Sequence, residues 1–306
     1  MDNFGQGVIQ APPISRIWTI SIVVSTIGTT LNMISPFQLI YSPALVANQP
    51  WRLFTSFCYF GDLSVSVIWA VFTVIRWSSD LEENFNLPVS LFPNSIHKFD
   101  QRQSNFLEQA KTKLKSADYL YFVLLIGSTI ILTSTIGFLF FDFKLPFSGL
   151  ILHEILCYIS CRLNPYQMLN LGGLINLEAS MVPIITSLIE LFMNNEFRNN
   201  ISLLFSDGLT YLPTVLFCSP TWKAYVCLGL GHLWWFLGYY YFEEFHNDKN
   251  PQRLHQKLKT PKRIQQNDNL EPLHYTKSAL KMILLPPWYW VILSNIENNR
   301  GGIRRT

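Results

Sequence analysis

The chain has 306 residues, of which 49% are hydrophobic and only 14% charged. An ordinary soluble domain carries about a quarter charged residues, so the composition argues against a water-soluble globular protein. The net charge of +3 is too small to suggest a nucleic-acid partner.

In chain order, residues 1–13 read as a short N-terminal segment without a basic region, so no cleavable signal is expected and the first apolar run acts as an uncleaved anchor. A spanning helix needs about 20 largely apolar residues. Six segments qualify, at about 14–34, 53–77, 119–141, 145–163, 174–193 and 224–242. The second is interrupted by Asp62, the fourth holds His153 and Glu154, the fifth Glu178 and Glu190, and the sixth His232. The fold class expected is all-α, a polytopic bundle of six transmembrane helices within residues 14–245. The run 203–218, broken by Asp207, Gly208 and Pro213, reads as a re-entrant or interfacial loop, with a seventh span as the alternative. Cys58, Cys157, Cys161, Cys218 and Cys227 lie mostly in apolar stretches without metal-site spacing. They read as small buried hydrophobes, and neither metal nor cofactor is expected.

Orientation follows from the flanking cations. With the N-terminus in the cytosol, 19 of the 23 Lys and Arg residues fall on the cytosolic side, leaving Arg52, Lys144, Arg198 and Lys223 on the far side. Both termini are therefore expected in the cytosol. The loop 194–222 then lies on the far side, where Asn200-Ile201-Ser202 forms a glycosylation sequon. The cytosolic loop 81–118 carries Ile96, Phe99, Phe106, Leu107, Ala110 and Leu114 at roughly helical spacing, which suggests an amphipathic helix on the membrane surface. The tail 246–306 is polar and basic. Its segment 284–293 contains two prolines and three interfacial aromatics, so it reads as an anchor at the headgroup level rather than a span.

Charged groups at membrane depth need a stated partner or purpose. His153 and Glu154 either line a hydrophilic cavity or bond between helices. Glu178 and Glu190 read as span-end groups that reach water. The irregular loop Ile34-Ser35-Pro36-Phe37-Gln38-Leu39 leads to Trp51-Arg52. It is too irregular to cross a bilayer and is expected to sink halfway into the far leaflet, with Trp51 at the interface and Arg52 snorkelling to headgroups. Ser148, after Pro146-Phe147, and His232, after Gly231, resemble the order of a Ser–His dyad in intramembrane proteases of the rhomboid family. Pro146 replaces the first glycine of that motif, and the second span lacks a side-chain oxyanion donor.

Several stretches resemble the derlins, rhomboid-like pseudoproteases of the endoplasmic reticulum. They are Pro13-Ile14-Ser15-Arg16-Ile17-Trp18, the Ser35-Pro36-Phe37-Gln38 loop, Trp51-Arg52-Leu53 with Phe60-Gly61, Asp80-Leu81-Glu82-Glu83-Asn84-Phe85, and Gly231-His232. Leu152-His153-Glu154, Gln167-Met168-Leu169-Asn170 and Gly172 look closest to the fungal derlin named for degradation in the endoplasmic reticulum. Where that family has Gly-x-x-x-Gly in the sixth span, Cys227, Gly229, Gly231 and His232 are the candidates for close helix packing. The terminal Asn299-Arg300-Gly301-Gly302 lacks the Phe of the family's unfoldase-binding motif. The resemblance implies a non-catalytic, multi-pass protein of the endoplasmic reticulum membrane. It would help move misfolded proteins to the cytosol beside a membrane ubiquitin-ligase complex and its substrate receptors, with an AAA unfoldase engaged only indirectly. Trp51, Arg52, Pro36 and Phe37 would distort the far leaflet, and His153 and Glu154 would hydrate a lateral groove from the cytosolic side. The alternatives are an active intramembrane serine protease using Ser148 and His232, and a transporter with His153 and Glu154 as a proton relay.

Overall fold

The computed structural model describes residues 8–93, 95–96, 99–171, 175–238 and 279–303. The fold is all-α apart from one hairpin. In order, the helices are α1 (Pro13–Thr30), α2 (Pro36–Leu39), α3 (Arg52–Cys58), α4 (Val65–Asn84), α5 (Gln101–Phe141) and α6 (Ser148–Leu163). Strands β1 (Met168–Leu171) and β2 (Ile175–Glu178) pair antiparallel, with Met168 opposite Glu178. Then come α7 (Val182–Met193), α8 (Asn195–Asp207), α9 (Leu212–Leu216), α10 (Ser219–Phe236) and α11 (Pro287–Ile303). The chain forms two compact units, residues 1–83 with 123–237, and residues 84–122 with 238–306.

In the first unit, α1 is built inside out. Its buried residues include Ser15, Thr19, Thr26 and Thr29, whereas Ile17, Ile20, Val24 and Ile27 are exposed. In water that stripe would be an unstable patch; against lipid tails it costs nothing, and small polar residues are what helix contacts inside a membrane favour. The hydroxyls of Thr19 and Thr29 donate to carbonyls of the preceding turn, so these two carry no unmet bond into the contact.

Pro13 starts α1 with no side-chain cap of its own. The cap comes from α4 instead. The carboxylate of Glu82, only 1% exposed, accepts from the backbone N–H groups of Ile14 (3.2 Å) and Ser15 (2.8 Å) and from the Ser15 hydroxyl (2.8 Å). The negative charge also meets the positive end of the α1 dipole. Two stretches that resemble derlins in sequence thus meet in space.

The second expected span, 53–77, is not one helix. It is broken at residues 59–64, where Gly61 takes φ of +122°, a conformation that favours glycine. The break leaves the last carbonyls of α3 without intrahelical partners. Side chains of α1 supply them: the Trp18 indole donates to the Phe57 carbonyl (2.9 Å), and the Ser25 hydroxyl donates to that of Cys58. A Cβ on Gly149 would come within 2.5 Å of the same Phe57 carbonyl, so α6 can approach α3 this closely only with glycine there.

Other boundaries also move. The fifth expected span, 174–193, is helical only from about Ala179; residues 175–178 are strand, because the Asn- and Gly-rich run before them disfavours helix and supports a hairpin. The fourth starts at Ser148 and the sixth at Ser219, with residues 239–242 of the latter outside the described ones. The region 203–218 forms the end of α8, a 3₁₀ turn and α9, and Asn200 sits within α8. By length and apolarity one described helix, Gln101–Phe141, is sufficient to cross a membrane, and Ala179–Met193 is a shorter apolar helix. Residues 1–7 and the tail 246–278 lie outside the described residues, as do Lys98 and Gly172.

In the second unit, the helical spacing expected within 81–118 is realised from Gln101 onward as the first turns of α5, continuous with the third span rather than separate from it. The expected interfacial segment 284–293 enters α11, and one of its faces is buried through Leu284, Leu285, Tyr289 and Leu293. Its opposite side exposes Met282, Ile283, Trp290 and Val291. Asp118, the last residue before the apolar stretch of α5, is buried and accepts hydrogen bonds from the Trp288 indole (2.9 Å) and the Tyr289 hydroxyl (2.7 Å). Tyr289 also meets Phe92 edge-on, and Tyr121 donates to the Ile283 carbonyl (2.6 Å).

Burial pushes the Asp118 carboxyl up to about 6, against a smaller downward pull from the Tyr289 and Trp288 hydrogen bonds. An unfolded Asp titrates near about 4, so the folded state holds the proton more tightly. The ionised form is then the disfavoured one, and stability of the contact rises as pH falls from above 6 toward 4. Protection factors of the α11 amides, taken relative to intrinsic exchange at each pH, should be higher at pH 5 than at pH 7.5, and Asp118→Asn should flatten that difference.

Candidate functional site

Three walls of the first unit, α4, α6 and α7, enclose a cavity of about 570 Å³. Its lining is mostly apolar, with Trp69 and Trp77 from α4 and Ile189 and Met193 from α7. Polar character comes from Thr73, Thr186, Ser187, His153, Glu154 and Glu190. A second cavity of about 320 Å³ lies between α6, α7 and α10 and is reached past Lys144, Asn194 and Glu196. The two share Leu150, Ser187 and Glu190.

An ion cluster stands at their junction. The Lys223 ammonium of α10 pairs with Glu154 of α6 (2.9 Å) and with Glu190 of α7. Two carboxylates share one ammonium, and the pairing ties three helices together. Sequence reasoning had placed Lys223 in a flank and Glu190 at a water-exposed span end, so the cluster was missed. The available signal was one base and two acids on neighbouring apolar segments, since buried charges of opposite sign pair. His153 lines the large cavity with its Nε2 buried and without a hydrogen bond.

The structure does not bring Ser148 and His232 together. Ser148 starts α6, fully buried, and its hydroxyl makes no hydrogen bond. His232 is held by Tyr158, whose hydroxyl is 3.1 Å from its Nδ1. Tyr158 lies ten residues along α6 from Ser148, about 15 Å at 1.5 Å per residue. No proton transfer spans that distance directly.

Of the four residues expected to pack helices, the arrangement separates two pairs. Cys227 is buried, and a Cβ on Gly231 would stand 2.8 Å from the Tyr158 ring, so these two, one turn apart, face α6. Gly229 has open space where a Cβ would be, so it is not a packing position. Two residues along a helix is about 200° of rotation, which turns it away. His232 is exposed and stacks on Phe236.

Arg52 also differs from expectation. It is 4% exposed, not snorkelling. Its guanidinium donates to the carbonyls of Phe37 and Ile40 (2.9 Å) and to the Gln49 side chain (2.6 Å). It therefore holds the irregular loop in shape from within. Thr55 adds a bond to the Leu39 carbonyl (3.1 Å), and Tyr41 N–H one to Pro146 (3.0 Å). The loop's outer surface is apolar. Phe37 is 76% exposed and Trp51 49%, Met33 and Phe54 are exposed too, and Pro36 opens the short helix α2 that presents Phe37.

The family model described as the Der1-like family matches residues 11–262. The chain belongs to the Der1-like family. This Der1-like chain is 29% identical over 182 residues to Derlin-2.1 of Arabidopsis thaliana, a match covering 57% of this chain and 64% of that relative. It is 24% identical over 228 residues to Derlin-1 of Arabidopsis thaliana, covering 74% of each. With Derlin-1.2 of Zea mays it shares 23% identity over 253 residues, 82% of this chain and 79% of the relative. The Derlin-2.1 match thus spans under two thirds of that relative's length. The narrower likeness to the fungal derlin rests on its own few residues, among them His153 and Glu154, and the plant relatives do not bear on it.

Within the Der1-like loop, removing the guanidinium should leave the carbonyls of Phe37 and Ile40 without a charged donor, a loss on the order of 2 kcal/mol. Arg52→Ala should expose residues 34–50 to protease and lower the thermal midpoint in detergent. Arg52→Lys should fall between it and wild type, because an ammonium lacks the guanidinium's fork of donors. Trp51→Ala, at a half-exposed site, should leave the midpoint nearly unchanged.

Proposed function

We propose that this chain is a non-catalytic component of endoplasmic-reticulum-associated degradation. It spans the membrane six times with both termini in the cytosol, and its lateral groove helps misfolded proteins pass from the lumen toward ubiquitination. The observation that carries the reading is the large cavity between α4, α6 and α7, apolar for most of its wall yet holding His153 and Glu154. Such a groove accepts an apolar segment while giving its polar groups partners.

The helix lengths support a thinned bilayer around it. At 1.5 Å per residue, α6 with 16 residues is about 24 Å long, and α7 with its preceding 3₁₀ turn is similar, against a hydrocarbon core of about 30 Å. Short spans favour local thinning of the bilayer, which shortens the path for polar backbone. The exposed Phe37 and Trp51, held out by Arg52, add a wedge in the luminal leaflet. In this topology Glu190, near the end of α7, and Lys223, in the first turns of α10, lie toward the lumen. The polar side of the groove then opens to the lumen, a revision of the cytosolic opening expected from sequence.

The partners in this reading are a membrane ubiquitin-ligase complex with its substrate receptors, and misfolded proteins, with an AAA unfoldase engaged indirectly. A protease reading finds less support, because Tyr158 holds His232 far along α6 from Ser148. Filling the groove with Thr186→Trp should slow degradation of a misfolded luminal substrate in a cycloheximide chase by several-fold, while Ser148→Ala should leave it at the wild-type rate. Normal degradation in Thr186→Trp would remove the groove from the pathway, and loss in Ser148→Ala would restore the protease reading. Purification in mild detergent should bring down a stoichiometric ubiquitin ligase.

A further inference from the structure

We propose that the acidic side of the groove is a recognition site for a basic side chain carried within an apolar polypeptide segment. The inference rests on the groove reading and names the substrate feature that the groove selects. Lys223 is shared between Glu154 and Glu190, so two carboxylates have a single ammonium between them. Only one oxygen of Glu154 is engaged. Its Oε2 is buried and accepts no hydrogen bond, and His153 Nε2, one residue away on the same cavity wall, is buried and equally unmet. Buried polar atoms without partners are rare, and two from consecutive residues that line one cavity call for a ligand that supplies hydrogen bonds.

The missing group must bring donors and positive charge. A Lys ammonium offers three N–H donors and an Arg guanidinium five, enough for Glu154 Oε2 and, in its accepting tautomer, His153 Nε2. A carboxylate would instead meet two others. The rest of the wall, with Trp69, Trp77, Ile189 and Met193, suits the aliphatic stem of a long basic residue and its apolar neighbours. A basic residue inside a spanning segment is costly in hydrocarbon and is normally neutralised by a partner subunit. A subunit that has lost that partner presents the combination that this groove complements.

The test uses the full chain in nanodiscs of zwitterionic lipid, with fluorescent single-span peptides of about 20 residues, mainly Leu and Ala, carrying Lys, Leu or Glu at the centre. The Lys peptide should bind roughly tenfold more tightly than the other two, as charge-assisted hydrogen bonds allow. Glu154→Gln should reduce its affinity toward that of the Leu peptide, so that the Lys-to-Leu affinity ratio falls to about one. Glu190→Gln, at a half-exposed position, should do the same to a smaller degree, with an unchanged thermal midpoint as the check that the bundle is intact. Equal binding of all three peptides to wild type, or a Lys preference that survives both variants, would overturn the charge recognition and leave the groove. Binding of none of the peptides would overturn the groove reading as well.

Discussion

A charge inside an apolar bundle has to be met by the protein itself, because lipid supplies no hydrogen bonds. Three side chains of the first unit satisfy that constraint, and the architecture follows from how they do it. Glu82 caps the start of α1 from α4. Arg52 fills the carbonyls of the loop around α2. Lys223 draws α6, α7 and α10 together through two carboxylates. Glu82 and Lys223 join elements distant in sequence, Arg52 ties its helix to the loop just before it, and each makes the burial of a charge conditional on the fold around it. Such contacts are poor sources of net stability but strong determinants of a single arrangement, since removing one partner strands the other.

The same constraint explains where the bundle is irregular. The break between α3 and α4 would leave open carbonyls, yet Trp18 and Ser25 reach across from α1 to bond them. The hairpin before α7 shortens that helix, and its strands meet their own backbone needs by pairing. Breaks and short helices next to a cavity are what a protein needs if it is to hold a foreign segment in the membrane. A bundle of full-length, closely packed helices would offer neither room nor a thinner bilayer.

Much of the fold was legible from the residues. Apolar runs located the helices, because the requirement for length and hydropathy is local. The likeness of Pro13–Trp18, Trp51-Arg52 and Asp80–Phe85 to derlins pointed to the family that the match over residues 11–262 then established. Helix boundaries were less legible. The break at 59–64 is signalled only by Asp62 and one glycine, and the strands at 168–178 are too short for a periodic signal.

Helical architecture and family membership can be read along the chain, since they depend on composition and on local motifs. The partner of each polar side chain emerges only when the helices pack. Arg52 turns inward instead of snorkelling, Gly231 rather than Gly229 meets Tyr158, His232 lies far from Ser148, and Lys223 joins Glu154. Helix phase and contacts beyond the local segment set those partners, twelve residues away for Arg52 and sixty-nine for Lys223, and a pattern read along one segment holds no record of which face its neighbour will cover.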